Sequence, residues 1–261
     1  MSVISIAIHK GGVGKTTIAV ALARFAAKQG KTVLLIDFDP QSNATGNFAT
    51  EGKQRSLLAS HLLSDKPTGK PMNVEKNLDL IPADMGLLEA EMKGTAVVGP
   101  LKANVAALSK RYDMVVFDTP PSMGIGMLAP LMVSDYCLSP VVPDAYGVSG
   151  LEALLQRIKL IKRSSNPKLN FLGLLVNRYR FNDAGHVDVL RLLRKQGSQF
   201  LVPWIVSEYA ALSNSAHTKK AAWETAKSPS AKKASKALTD ALDWIFSQMF
   251  PQKNDQMSVS L

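Results

Sequence analysis

The stretch from Val3 to Thr17, VISIAIHKGGVGKTT, restricts the possible folds of this chain more than any other. Six mostly apolar, partly β-branched residues, Val3 to Ile8, read as a buried strand. A glycine-rich turn follows, and Lys-Thr-Thr then opens a helix rich in Ala and Leu. Gly11, Gly12 and Gly14 have no Cβ, so with Val13 they form a run whose backbone can turn several N–H groups inward around phosphate oxygens. The helix starting near Lys15 aims the positive end of its dipole at the same anion. In such a loop Lys15 sits between β- and γ-phosphates, Thr16 lends its hydroxyl oxygen to Mg²⁺, and Thr17 reaches the α-phosphate.

The loop departs from the general G-x-x-x-x-G-K-[ST] spacing at position 9, where His9 stands in place of glycine, and it carries a second lysine, Lys10. KGGVGKTT resembles the deviant Walker A motif of the ParA/MinD superfamily, whose extra lysine reaches across a dimer to the partner's nucleotide. The resemblance implies that Lys10 acts in trans, alongside Lys15, while His9 reads as a strand-end residue.

Two further motifs follow in the expected order. TVLLIDFD, Thr32 to Asp39, reads as a second strand buried on both faces, with Asp37 and Asp39 pointing the same way at its carboxyl end, where open α/β sheets bind ligands. DFDPQSNATGNF is similar to the family's D-x-D-P-Q-x-N-x-T segment. By that likeness Asp37 lies near the Mg²⁺ shell and Asp39 orients or activates the attacking water. In DMVVFDTPPS four apolar residues lead to Asp118, and the prolines end the strand. An aspartate there, as in the family's DTPP, is the Walker B carboxylate on the metal side. FLGLLVNRYR, Phe171 to Arg180, gives another interior strand, and the resemblance assigns an adenine contact to Asn177.

The remaining pattern alternates strand and helix. Strands are expected over Leu78 to Ala83, over YCLSPVV with Cys137 in the core, and over FLVPWIV. Helices are expected near Gly86 to Met92, Val97 to Leu108 with a break at Gly99-Pro100, Gly126 to Val133, Val148 to Arg163 and Ser230 to Met249. Residues 51–77 give the weakest pattern. Together these predict an α/β fold, a mostly parallel twisted sheet with helices on both faces. One domain over residues 1–250 is expected, with a disordered tail over 251–261. Because the phosphate loop begins at residue 9, no operator-binding extension of the kind some plasmid relatives carry is expected.

Charge is unevenly spread. Residues 156–236 hold 16 Lys and Arg against 4 Asp and Glu, a net +12, whereas the whole chain is +10. Such an imbalance is the footprint of a surface for nucleic acid or another polyanion. Arg178, Arg180, Arg191, Arg194, Lys195, Lys219 and Lys220 are the candidate DNA contacts. Pro203 is followed by Trp204 where many relatives have arginine, so no role is carried over to that position.

The resemblance implies a slow, partner-stimulated ATPase using ATP and Mg²⁺ that dimerises on ATP and binds DNA without sequence preference. With a ParB-like activator it would segregate or position plasmid or chromosomal DNA, in the cytoplasm on the nucleoid. The alternatives are positioning of a protein cargo, such as a chemoreceptor cluster or carboxysome, and a MinD-like membrane-associated division regulator. The last helix carries Asp240 and Asp243 and ends in a polar tail, which speaks against a membrane anchor. A single cysteine speaks against an iron–sulfur cluster bridged by two cysteines per subunit.

Overall fold

The computed structural model describes residues 1–48, 56–108, 110–208 and 218–251, with the backbone alone for residues 145–152. The expected tail falls, beyond Pro251, outside the described residues.

Eight strands form one sheet in the order β3-β4-β2-β5-β1-β6-β7-β8. The three at its centre, β1 (Ser2–Ile6), β2 (Val33–Asp37) and β5 (Met114–Asp118), are the continuous apolar runs, and β2 and β5 are buried at every residue. Burial on both faces is what a parallel sheet flanked by helices demands. β6 (Tyr136–Val141), β7 (Asn170–Tyr179) and β8 (Leu201–Ser207) extend the sheet in parallel on one side, and β4 (Leu78–Ile81) does so on the other. Pro203 lies in β8, an edge strand paired with β7, the place in a sheet that tolerates proline.

The helices cover both faces. On one, α1 (Lys15–Lys28) and α8 (Pro229–Met249) pack over Ile4, Ile6, Leu35, Val116, Leu138 and Leu175. The short α7 (Ala222–Thr225) adds Trp223, edge-on to Phe25. On the other face lie α2 (Leu87–Lys93), α3 (Val98–Leu108), α4 (Ile125–Val133), α5 (Ala145–Ser164) and α6 (Ala184–Gly197). They bury the alternate strand residues, Leu34, Ile36, Val115 and Phe117 under α2 to α4, and Cys137, Leu174 and Val176 under α5 and α6. The strand period of two sorts the side chains into these layers.

One undetermined segment is resolved and one expectation requires correction. A strand β3 (Met72–Glu75) pairs antiparallel with β4 inside the segment that gave no clear pattern. Its turn places Asn77 in the left-handed region at φ 61°, which asparagine tolerates. The helical break expected at Gly99-Pro100 instead falls at the 3-10 turn Gly94–Val97. Pro100 lies in the first turn of α3, where its missing N–H would have had no helical partner. SLLASHLL forms a 3-10 turn, Ala59–Leu63.

Candidate functional site

The parallel strands β1, β2 and β5 run side by side and end together, so their carboxyl ends form one rim. Ile6 lies in register with Asp118, and Asp118 with Asp37, which sets two carboxylates next to each other beneath the loop that leaves β1. That loop enters α1 through Gly12 at φ 72° and Gly14 at φ 92°, both in the left-handed region. Gly14 is required a second time, because a Cβ there would collide with the Asn177 amide.

Lys15 is buried and donates from Nζ to the Lys10 carbonyl at 2.8 Å. Burial lowers its pKa, opposed by the charges of Asp118 and Asp39. Thr16 Oγ1 donates to Asp118 Oδ2 at 2.7 Å. Among the described residues, Asp118 Oδ1 is buried and has no hydrogen-bond partner. Burial, reinforced by Asp37, holds the Asp118 carboxyl well above the usual carboxylate range. Asp37 is also buried. Its Oδ2 accepts from the backbone N–H and the hydroxyl of Thr45, both at 2.7 Å, and burial pushes its pKa up to about 6. Asp39 is buried beside it and caps the backbone N–H of Gln41 at 3.0 Å.

One buried lysine facing Asp118 and Asp39, with Asp37 beside those two, makes a compact polar centre, and an orphaned carboxylate oxygen next to a threonine hydroxyl fits a hard cation. Among the described residues, no group of three or more His, Cys, Asp or Glu side chains is arranged to enclose a metal. A cation here would therefore rely partly on water and ligand oxygens, as magnesium does beside phosphates. Thr16 and Asp118 are the residues placed to hold it, with Asp37 alongside.

Lys10 bonds both carboxylate oxygens of Asp144, the residue before α5. Asn177, buried at the end of β7, donates from Nδ2 to the Val13 carbonyl at 2.8 Å. Its amide is thus engaged with the loop backbone. Arg178 donates from Nη1 to the Gly12 carbonyl at 2.6 Å, so it too lies against the loop. It shares Glu208 with Arg180.

The other basic residues lie elsewhere. Arg191, Arg194 and Lys195 are on the outer side of α6, with Arg191 paired to Asp188. Lys219 and Lys220 line a groove of about 520 Å³ with Arg24, Lys28, Lys76 and Trp223. Its wall residues Gly30 and Asn77 precede β2 and β4, so the groove opens at the amino end of the strands, on the opposite rim from the phosphate loop. α1 flanks this groove and α6 covers the other face of the sheet, so the seven basic residues do not form one patch. Arg24 itself is buried. It pairs with Glu75, donates to the carbonyls of Asn47 and Lys219 at 3.3 and 3.1 Å, and stacks on Phe48.

Sequence reasoning missed Thr45, Asp144, Glu208 and Arg24. The first three carried a usable signal, since each follows a strand at its carboxyl end, where a doubly wound sheet collects its ligand contacts. Arg24 carried none, being one arginine in an alanine-rich helix.

Residues 1–171 match the AAA domain family. Protein IncC of Escherichia coli is 31% identical over 256 residues, covering 95% of this chain and 70% of the relative. The chromosome-partitioning ATPase Soj of Thermus thermophilus is 35% identical over 176 residues, covering 67% of this chain and 69% of its own. Among solved structures, an ATP complex of a McdA variant from Cyanothece superposes with a TM-score of 0.81 at 24% identity, covering 93% of this chain and 96% of that one.

Proposed function

Because the chain belongs to the ParA/MinD-type family of partition ATPases, we propose that it is an ATP-dependent switch that dimerises, holds DNA through its basic surfaces, and releases it on hydrolysis. The observation that carries this is the Thr16–Asp118 pair, whose buried Oδ1 has no partner among the described residues, set under a glycine loop that ends in Lys15.

In this reading the loop N–H groups and Lys15 bind the ATP phosphates, with Gly11, Gly12, Val13, Gly14 and Thr17 lining the cradle. Thr16 and Asp118, with Asp37 nearby, hold magnesium, which when bound neutralises charge on the phosphate oxygens. Asp39 orients the attacking water and receives its proton. Burial of these groups keeps bulk water out and strengthens every charge interaction among them. Thr45, bonded to Asp37, ties the segment after β2 to the state of the site. Lys10 leaves Asp144 to meet the partner subunit's nucleotide, so dimerisation breaks the Lys10–Asp144 pair. Asn177 steadies the loop on the adenine side.

DNA contact falls to Lys219 and Lys220 in their groove on the rim away from the nucleotide, and to Arg191, Arg194 and Lys195 on α6. Arg180 lies nearer the loop. Phosphate contacts of this sort are additive and weaken with salt, so doubling them by dimerisation turns marginal affinity into firm attachment. Turnover is slow alone and is raised by a ParB-like activator bound to the cargo, which releases the dimer from the nucleoid.

The test is binding of the purified protein to random-sequence DNA without nucleotide, with ADP and with ATP, across a salt series. Binding that requires ATP and falls steeply with salt is the expected result. Equal binding in all three states, or none, overturns the DNA switch and favours a protein cargo.

A further inference from the structure

We propose that Arg178 is a positioning residue of the nucleotide site, holding the phosphate loop in its anion-binding shape from the end of β7. The proposal rests on the reading of that loop as an ATP site.

Two consecutive residues of β7 grip two consecutive loop carbonyls. Asn177 Nδ2 takes the Val13 carbonyl at 2.8 Å and Arg178 Nη1 takes the Gly12 carbonyl at 2.6 Å. In a planar trans peptide the C=O and the following N–H point in opposite directions. Fixing the carbonyls of Gly12 and Val13 toward β7 therefore turns the N–H groups of Val13 and Gly14 away from it, into the cradle.

The guanidinium is itself held in place. Glu208 Oε1 accepts from Arg178 Nε at 3.0 Å and from Nη2 at 2.6 Å, which leaves Nη1 directed at the loop. The other oxygen of Glu208 accepts from Arg180 Nε. The bonds from Arg178, and then Arg180, keep the Glu208 carboxyl below its ordinary range, so the clamp stays charged at neutral pH. Glu208 N–H donates to the Tyr179 carbonyl at 2.9 Å, fixing the end of β8 on β7. A planar fork locked on one side by a carboxylate aims its remaining donor as a lysine could not.

The backbone supplies a separate indication. Arg178 sits at φ 53°, in the left-handed region that a long side chain rarely enters. Strain of this kind persists where the surroundings over-determine it, and such places cluster at ligand sites. The Arg178 side chain is 43% exposed, so a DNA contact is sterically open to it. Its donors nevertheless converge on Glu208 and the loop.

Titration of the full-length protein with a fluorescent ATP analogue and with its ADP counterpart, both with Mg²⁺, tests the clamp. R178M is expected to weaken both by about ten-fold, the effect of losing one charged hydrogen bond. Its DNA affinity at saturating ATP should stay close to wild type. E208Q should shift nucleotide affinity the same way by less, since it loosens the guanidinium without removing it. Wild-type nucleotide affinity in both variants overturns the proposal, as does a loss of DNA binding in R178M with nucleotide affinity intact. If R178M does not fold, unchanged affinity in E208Q is sufficient to overturn it. Failure of the wild-type protein to bind either analogue is a distinct result, which removes the ATP site and the clamp together.

Discussion

Asp37 is a carboxylate that folding has made reluctant to ionise, and this leads to a stability prediction opposite in sign to the usual behaviour of paired acids. Its pKa in the folded, nucleotide-free protein is pushed up to about 6, with burial as the leading cause, against an ordinary value near 3.8. Between these values the folded state holds a proton that the unfolded state has released, so stability falls as pH rises through the window. The contribution is fully present below about pH 3.8 and lost above about pH 6. A gap of roughly two units corresponds to about 3 kcal/mol, of which about 2 kcal/mol is lost between pH 4.5 and pH 7. Asp37→Asn cannot ionise and can still accept from Thr45, so the difference between the two proteins reads the ionisation of Asp37 together with its coupling to Asp118. Urea unfolding of both in EDTA across that range is the assay. The wild type should lose about 2 kcal/mol relative to D37N on going to pH 7, or about 4–8 °C in melting temperature for a chain of this size. Mg²⁺ and ATP should reverse the trend, since a bound cation stabilises the ionised form. A difference that is flat with pH, or that grows in favour of the wild type, refutes the reasoning.

Asp39→Ala should abolish ATP turnover while nucleotide affinity stays within a few-fold of wild type; a matched loss of affinity would mean that Asp39 binds rather than activates. Lys10→Ala should still bind nucleotide but fail to dimerise on ATP, as read by light scattering, and normal dimerisation would remove the trans role. Charge reversal at Lys219 or Arg191 should lower DNA affinity and flatten the salt dependence by about one to two units of slope. ATP binding should be unchanged in both, and full DNA affinity in both variants would show that neither surface is used.

What could be read in the sequence was local. β1, β2 and β5 are short, mostly apolar runs, followed by a glycine turn or ending in an aspartate, and these patterns state their own burial and their own end. That the glycine loop and the three aspartates stand together was legible because fixed spacing on a strand and loop nearly determines where the side chains point. β3 was not legible, because an edge strand of four residues needs only two apolar side chains, and its pairing with β4 is a tertiary fact. The partners of the site carried a signal of position, each following a strand, but not of which group they meet. Asp144 and Glu208 lie more than a hundred residues from the loop they serve, and only the closing of the sheet brings them to it. The basic half of the chain shows the opposite limit. Its charge was evident, yet the fold divides those residues between two faces and draws Arg178 to the nucleotide rim.

Arg24 also bears on how the molecule opens. One buried guanidinium anchors the loop at Asn47, the β3 hairpin through Glu75 and the backbone at Lys219, three surface segments far apart in the chain. Detaching any one of them admits water to a charge that the other two still hold, so the cost of the first release is shared by all three. They are therefore expected to open as one cooperative unit, and amide exchange at three separate free energies in the three segments would refute this.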